Sequence, residues 1–254
     1  NSAFFGSGLT SLPATFNLSK GYSFSSAFQR CTSLTTIGSG VLLGTAASGV
    51  DFNNVCYSCS ALESLPDNFD MSQGDTFIDS FRNCTALTSF PQAAKLGTSA
   101  SNVNFENAWR SSGLTSFSTP LPTADLLVAS WRDCSSMTSF SVAELPIVTD
   151  SRQSFLNCNF SAFSTEIPKS KAFQYCWSGN SSLTDFSADV FANWNPVSLY
   201  NSVFDQAWTN CNSLTAQSVE NILVSIDASG HYATTNKLQG GSALADAGID
   251  IDYD

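Results

Sequence analysis

The feature that most constrains this chain is a segment that recurs along it and is clearest in residues 77–91, FIDSFRNCTALTSFP. Its copies follow the pattern F-x-x-[AS]-[FW]-x-x-C-x-x-L-x-x-[FLI], and several end in proline. Nine copies can be placed on the Leu of this pattern or its equivalent, namely Leu9, Leu34, Leu62, Leu87, Leu114, Met137, Phe160, Leu183 and Leu214. Successive anchors lie 23 to 31 residues apart, and a period of this length predicts a solenoid.

Burial explains why such a period favours stacked coils. One unit of this length cannot cover its own apolar side chains, whereas stacked units bury them against their neighbours. Equivalent rings such as Phe81, Trp109 and Trp131 are therefore expected to form a ladder, with coils about 4.8 Å apart. We predict an α/β solenoid of about nine coils with one parallel sheet. The L-T-S-F segment forms its strand, and the F-x-x-[AS]-[FW] segment forms a short helical or 3-10 turn opposite.

The repeat loosens after residue 141, which predicts surface loops in the late coils. Six residues separate Cys176 from Leu183 instead of two, so four extra residues are expected to bulge outward. Insertions in repeat proteins map to loops that often bind ligands. Aromatic side chains in such loops offer stacking planes for sugars or anchors for proteins. The candidate ligand-binding residues are Tyr175, Trp177, Trp194 and Tyr200, and the alternative is that some of them are buried under the insertions.

Seven of the eight cysteines appear at one position of the repeat, at residues 31, 59, 84, 134, 158, 176 and 211. Because Ser111 and Gly6 align with them, the position resembles a slot for a small buried side chain, and we predict a ladder of free thiols. An even cysteine count leaves disulfides as the alternative. Cys56 lies where other copies carry Phe or Trp, and with Cys59 it forms a C-x-x-C pair. Core packing or a local disulfide is favoured there over zinc, which needs more ligands.

Charge is sparse and acidic. Only 12% of residues are charged, and the net charge is −11. Binding to nucleic acid or to an anionic membrane surface requires clustered Lys and Arg, so this balance argues against both. No apolar run of about 18 residues predicts a membrane span. The chain starts within a truncated repeat, and we expect it to be a processed product or a piece of a longer protein.

The pattern ends near residue 217, which divides the chain into a predicted solenoid, residues 1–216, and a predicted C-terminal α+β cap, residues 217–254. Apolar residues at 219, 222, 223 and 226 predict an amphipathic helix with Ser218 as its N-cap and Gly230 as its stop. Residues 242–247 are a second possible helix, and alternation over residues 249–253 predicts a strand. Its carboxylates at Asp250, Asp252 and Asp254 could hold Ca²⁺, although a solvated strand edge explains them as well.

No catalytic constellation is apparent in the sequence. The one histidine, His231, has no motif around it, and no nucleophile elbow, zinc-protease motif or phosphate-binding loop is present. Convergent acid, base or nucleophilic groups are what an enzyme requires. We therefore predict a non-enzymatic protein with no cofactor and no metal site.

The repeat resembles the BspA-type leucine-rich repeat family, whose core is A-F-x-x-C-x-x-L, over roughly residues 20–216. The matching residues are Ala27, Phe28, Cys31 and Leu34; Ser80, Phe81, Cys84 and Leu87; Ala108, Trp109 and Leu114; Ser130, Trp131, Cys134 and Met137; and Ala207, Trp208, Cys211 and Leu214. The resemblance implies surface-exposed, secreted or lipoprotein-borne adhesins of bacteria. Related arrays occur in phage structural proteins, and no catalytic residues come with the family.

The leading hypothesis is therefore an extracellular recognition module, a surface adhesin or receptor-binding protein that binds a glycan or a host-surface protein through the solenoid face and the late-repeat loops. The alternative is a structural subunit of a virion fibre, sheath or surface layer. In that case the open N-terminal end of the solenoid would join copies into a homo-oligomer or larger assembly.

Overall fold

A computed structural model describes residues 1–200 and 202–230 of the chain. These residues form a parallel β-solenoid of about seven turns, which confirms the predicted fold class. The sequence anchors number nine because the first coil starts within its turn segment and the last passes directly into a helix. Coils are numbered below by these anchors, from the first coil, which carries Leu9, to the ninth, which carries Leu214. The elements are β1 (Ser11–Leu12), β2 (Asn17–Leu18), β3 (Thr36–Ile37), β4 (Leu42–Leu43), β5 (Val50–Asp51), β6 (Asp70–Met71), β7 (Gly74–Thr76), β8 (Lys95–Leu96), β9 (Val103–Asn104), β10 (Ser116–Phe117), β11 (Ala124–Leu126), β12 (Ser139–Phe140), β13 (Ala162–Phe163), β14 (Asp185–Phe186), a 3-10 helix (Ala188–Phe191) and α1 (Ala216–Ala228).

The strands are very short and are distributed over three positions of each coil instead of forming the one sheet that was predicted. Strands that directly follow the anchor Leu form the pairs β1–β3, β10–β12 and β13–β14. Strands at the next position along the coil form the pairs β2–β4 and β6–β8. Strands at the third position, just before the following turn segment, form the four-stranded sheet β5-β7-β9-β11. Every pair is parallel, with partners such as Phe117 and Phe140 directly in register. Most strands bury one residue and leave its neighbour exposed or half-buried, as Ser116–Phe117 and Ser139–Phe140 do, so the inward residues line a common core. Both residues of β2 are exposed.

The F-x-x-[AS]-[FW]-x-x-C segment, here called the turn face, is not the helical turn that was predicted. In residues 24–31 the N–H of Ala27 donates to the Phe24 carbonyl and that of Cys31 to the Phe28 carbonyl, at 2.8 and 3.0 Å. The third residue of each turn, Ser26 or Arg30, has a φ near +57° (56° and 59°), as in type II turns. Alternate N–H groups instead bond to the next coil, as Phe28 does to Val55 at 2.9 Å. A helix would direct all of them along the chain.

Aromatic rings stack from coil to coil, as the repeat predicted. The Trp109 and Trp131 rings are parallel, with an interplanar angle of 6° and centroids 5.0 Å apart. Phe81 joins this ladder through Phe90, which contacts both Phe81 and Trp109 edge-on. A second ladder, at the first Phe of the repeat, brings Phe77 and Phe105 to 4.8 Å. Such pairs add about 0.5–1.5 kcal/mol each beyond the area they bury.

The cysteine position of the repeat, here called the thiol slot, supplies a hydrogen-bond donor to the preceding coil. Cys59 donates to the Phe28 carbonyl at 3.0 Å and Cys134 to the Trp109 carbonyl at 3.1 Å. All eight cysteines are buried and free, which confirms the prediction of free thiols and leaves Cys56 and Cys59 as packed core residues. Six of the seven predicted members of the ladder lie in the slot, and Cys176 does not. The slot is therefore selected for a small donor and not merely for a small side chain.

Three copies fill the thiol slot with a residue other than cysteine, and all three differ from the predicted alignment. Ser7 and Ser112, not Gly6 and Ser111, lie beside the thiols of Cys31 and Cys134, each at 3.3 Å. In the eighth coil the slot holds Asn180, whose Nδ2 donates to the Phe155 carbonyl at 2.8 Å. A hydroxyl or an amide can replace the thiol because each presents a donor at this point.

Helix α1 covers the end of the last coil. Its N-cap is Thr215 and not the predicted Ser218, and its chain leaves the helical conformation at Gly230 (φ 70°). The Ser218 hydroxyl donates to the Thr184 carbonyl and accepts from the Phe186 N–H, both at 2.9 Å. Asn221 donates to the Phe186 carbonyl. These side chains complete the hydrogen bonds that a further strand would otherwise make with β14.

The other predictions for the C-terminal segment concern residues outside the described ones: the helix over residues 242–247, the strand over 249–253 with its Asp residues, and His231. The division of the chain at residue 217 therefore remains a prediction. Within residues 1–200 and 202–230, no helix is both long and apolar enough to cross a membrane.

Candidate functional site

The four predicted ligand-binding aromatics divide into two buried and two accessible side chains. Trp177 is fully buried and stacks on Trp208 at 5.4 Å. Trp194 is 2% exposed, and its indole N–H donates to the Ser170 carbonyl at 2.6 Å. The prediction that these two rings lie outside the core is therefore wrong. Tyr175 is half-buried and Tyr200 is 46% exposed, so these two remain as candidates for contact with a ligand.

Trp194 is buried because the insertion that carries it folds back over Phe173 and Phe204, whose ring centroids lie 6.2 and 5.3 Å from its own. For Trp177 the physical reason is the register of the eighth coil. Because Asn180 occupies the thiol slot, its distance to Leu183 is the ordinary one and no four-residue bulge exists. Cys176 then falls one position before the ring residue, where other coils carry Ala or Ser, and Trp177 takes the place of Phe155 and Trp131. The N–H of Phe155 donates to the Cys176 carbonyl at 2.9 Å, which fixes this alignment.

Tyr175 and Tyr200 line one shallow cleft on the turn face of the seventh and eighth coils. Its volume is ≈ 550 Å³, and the remaining lining residues are Arg152, Gln153 and Gln174. Neighbouring coils place Arg152 and Gln153 beside Gln174 and Tyr175, because the Gln153 N–H donates to the Gln174 carbonyl at 2.9 Å. We call this feature the tyrosine cleft.

Two cations lie against the exposed ring of Tyr200. The Lys171 ammonium is 5.4 Å from the ring centroid, and the Arg152 guanidinium carbon is 5.9 Å from it. These distances are within the range of cation–π attraction. The Tyr200 N–H also donates to the Lys171 carbonyl at 3.2 Å. Both the backbone and the ring of Tyr200 therefore contact the preceding, eighth coil.

Arg152 is fixed in place by a two-point contact with Asp150. Its Nε and Nη2 lie 3.0 and 2.7 Å from the Asp150 carboxylate, whose side chain is only 6% exposed. The hydrogen bonds that Arg152 donates to the Asp150 carboxylate raise the pKa of Arg152. A planar guanidinium held in this way keeps further N–H groups for a ligand. Nearly half of the Arg152 side chain (47%) is accessible.

The backbone of Tyr175 adopts the left-handed conformation, with φ 57°. Gln153 (φ 58°) and Gln206 (φ 53°) hold the same position in the coils on either side. A non-glycine residue there costs about 1–2 kcal/mol, and a bulky side chain is unusual. The turn geometry of the solenoid thus forces this backbone, and the Tyr175 side chain is directed by it toward the cleft.

The arrangement can bind but shows no catalytic chemistry. Two phenol rings, a guanidinium, an ammonium and two amide side chains provide stacking planes and hydrogen-bond donors for a polar ligand. Among the described residues, no group of three or more His, Cys, Asp or Glu side chains converges into a possible metal site. Residues Arg152, Gln153 and Lys171 were not found from the sequence. The signal that could have indicated Arg152 is that every arginine of the chain lies in a turn-face segment, and this pattern does not extend to Gln153 or Lys171.

Comparison with known proteins adds little. No protein-family model matches the chain, and no curated protein matches it. A leucine-rich repeat protein from Bacteroides ovatus is a similar solved structure, with 13% sequence identity and a TM-score of 0.21, covering 79% of this chain and 70% of that one. At this TM-score the likeness carries no argument, and the fold assignment depends on the coils described above.

Proposed function

We propose that this chain is a non-enzymatic recognition module that binds a glycan or a host-surface protein through the tyrosine cleft. The observation that carries the proposal is the exposed Tyr200 ring, held between Arg152 and Lys171 at the mouth of the cleft. Exposed aromatic rings beside a guanidinium are the residues that contribute most to binding at interfaces. They also sit on a stacked scaffold that needs little ordering when a ligand binds.

The proposal includes a setting at a cell surface or on a virion, as in the adhesins of the BspA-type family that the repeat resembles. Support comes from the sequence resemblance and from a surface that is polar with few charges. The solenoid itself is a scaffold suited to interaction, and its convergent polar groups are those of a binding site.

The test compares single alanine variants of the two accessible tyrosines. On a glycan array and in a cell-binding assay, Tyr200→Ala is expected to weaken binding about tenfold or more, which corresponds to the loss of about 1.4 kcal/mol. Tyr175→Ala is expected to act in the same direction. Unchanged binding in both variants would refute the cleft as the binding site.

Tyr22→Ala is the matched control, because Tyr22 is also an exposed tyrosine (75%) but lies in the second coil. Its binding should equal that of the unaltered protein. Trp177→Ala and Trp194→Ala are unsuitable, since both rings are buried and their loss would alter the fold.

The alternative function, a structural subunit, has support at the N-terminal end of the solenoid. Strands β1 and β2 are each paired on one side only within the described residues, and Phe5 and Leu18 of the first coil are 48% and 41% exposed. An open strand edge with apolar neighbours favours association. Sedimentation at micromolar concentration discriminates: a monomer counts against assembly, whereas a concentration-dependent oligomer that Leu18→Glu dissociates would support it.

A further inference from the structure

All five arginines of the chain lie in turn-face segments of the repeat, whereas its five lysines lie outside them. Three of them directly follow the [FW] residue of the repeat in three consecutive coils: Arg82 follows Phe81, Arg110 follows Trp109 and Arg132 follows Trp131. The Asn83 N–H donates to the Arg110 carbonyl, and the Ser111 N–H to the Arg132 carbonyl, both at 2.9 Å. The backbones of these residues are therefore one coil apart, about 4.8 Å. We call these three residues the arginine row.

Each guanidinium of the arginine row is held from one side by a turn-face residue. The Nη1 of Arg82 donates to Asp79 at 2.9 Å, that of Arg110 to Asn107 at 3.4 Å, and that of Arg132 to Gln153 at 2.6 Å. Within the described residues, no hydrogen bond from Nη2 of these three arginines is found. The Nε atoms of all three are buried without a hydrogen-bond partner in the described part of the chain. Since a guanidinium carries five donors in a fixed fork, the Nη2 groups are the donors that the row leaves for a ligand.

The positive charge of the row is only partly neutralised. Two carboxylates, those of Asp79 and Asp133, lie within ion-pair distance of the three guanidinium groups. Burial and then the neighbouring Arg132 and Arg82 lower the pKa of Arg110, as expected where like charges are close. The three side chains are 25–30% exposed, so an external anion can reach them and relieve this repulsion.

The arginine row runs into the tyrosine cleft, because the residue that holds Arg132 is Gln153, which lines the cleft. At the other end Arg82 lies over the Tyr57 ring, 5.6 Å from its centroid. The result is a continuous stripe along the solenoid axis, with donors in the middle and an aromatic ring at each end. A ligand that matches it must be elongated and must carry negative groups at regular intervals.

We infer that the arginine row binds the recurring carboxylate or sulfate groups of an anionic polysaccharide lying along the solenoid axis. This deepens the proposed recognition function, on which it rests, by naming the ligand class. Spacing favours a sugar chain over an acidic peptide. Acidic side chains on one face of an extended peptide recur about every 6.7 Å, which is longer than the strand spacing of about 4.8 Å. One pyranose ring advances a sugar chain by close to that strand spacing, so a twisted polysaccharide can present successive acidic groups to successive arginines.

The experiment measures affinity by biolayer interferometry for alginate and dextran sulfate, with neutral dextran and poly-L-glutamate as comparisons, at low and high salt. We expect binding to at least one of the two anionic polysaccharides, weakened by salt, and a loss of about tenfold in Arg110→Gln. The relative affinities for alginate and dextran sulfate distinguish carboxylate from sulfate recognition. Arg110→Lys keeps the positive charge but loses the forked N–H donors of the guanidinium, so its affinity should lie between those of the unaltered protein and Arg110→Gln.

The matched control is Lys95→Gln, which removes an exposed charge from strand β8, away from the turn face. It should bind like the unaltered protein, and thermal unfolding of all variants checks that each is folded. The inference is overturned if Arg110→Gln leaves affinity unchanged, if Lys95→Gln loses as much, or if neutral dextran or poly-L-glutamate binds equally well. The Tyr200→Ala variant separates the two proposals: loss only in that variant supports the cleft alone, and loss only in Arg110→Gln supports the row alone.

Discussion

Replacing Cys134 by alanine should destabilise the solenoid by about 2 kcal/mol, whereas serine at this position should cost less than about 1 kcal/mol. Cys134 is fully buried, and its thiol donates to the Trp109 carbonyl at 3.1 Å. Alanine removes the sulfur, which loses about 1 kcal/mol of transfer free energy and leaves a small cavity. It also removes the hydrogen bond, worth roughly 0.5–1 kcal/mol.

Serine retains a donor at the same point, and the protein already carries a serine in the slot one coil earlier. Ser112 occupies the thiol slot there, beside the Cys134 sulfur at 3.3 Å. The difference between the alanine and serine variants therefore isolates the donor from the size of the side chain. A Cys134→Val variant fills the space without any donor and is expected to resemble alanine or to be less stable still.

The assay is urea unfolding followed by tryptophan fluorescence, since Trp109 and Trp131 lie next to the slot and report its loss. Repeat arrays can unfold in stages, so the midpoint and the slope should both be compared before free energies are assigned. Equal destabilisation by serine and alanine would contradict the donor argument and would mean that the slot requires only a small side chain. A Cys134→Val variant as stable as the unaltered protein would also contradict the donor argument.

The remaining predictions concern the other buried polar groups. Burial raises the pKa of Cys134 to about 11 and that of Cys211 to about 12, above the value of about 8.5 in an unfolded chain. Their contribution to stability is therefore complete below about pH 8.5 and declines as the pH rises toward 11–12, because the unfolded state releases these protons first; urea midpoints that are equal at neutral and alkaline pH would contradict this. Ser151 is 1% exposed and its hydroxyl has no hydrogen-bond partner among the described residues, so Ser151→Ala should raise the free energy of unfolding by about 1 kcal/mol, measured by the same titration. Asn180→Ala should lower it by about 2–3 kcal/mol because two carbonyls lose a donor, whereas Asn180→Cys should cost less. Thr215→Ala removes the N-cap of α1 and should cost about 1 kcal/mol, seen as earlier loss of helical circular dichroism signal.

The candidate site was only half predictable from the sequence. Tyr175 and Tyr200 were correctly singled out as accessible, but Trp177 and Trp194 were placed outside a core that in fact contains them. For Trp177 the cause is that the sequence alignment followed cysteine identity and assigned Cys176 to the slot. The slot recognises a donor, and Asn180 supplies one, so residue type alone misplaced the register by four residues.

The secondary structure of the turn face shows a second limit. Apolar residues four apart, such as Phe77 and Phe81, fit one helical turn as well as they fit two successive type II turns. Only the neighbouring coil decides between them, because its carbonyls accept alternate N–H groups of the turn face. Left-handed backbone at residues such as Asp79 and Asn83 is stabilised by those bonds between coils, and it leaves no periodic signature in the sequence.

The sequence by itself determined that this chain stacks, since a regular spacing of rings, thiols and leucines can be buried only by neighbouring copies of the same unit. It also favoured free thiols over disulfides, because small residues align with the cysteines in other copies. Tertiary structure alone decided which polar and aromatic side chains face outward together. The tyrosine cleft and the arginine row join residues more than twenty positions apart, and they meet because coils stack about 4.8 Å from one another, a distance that no local pattern encodes.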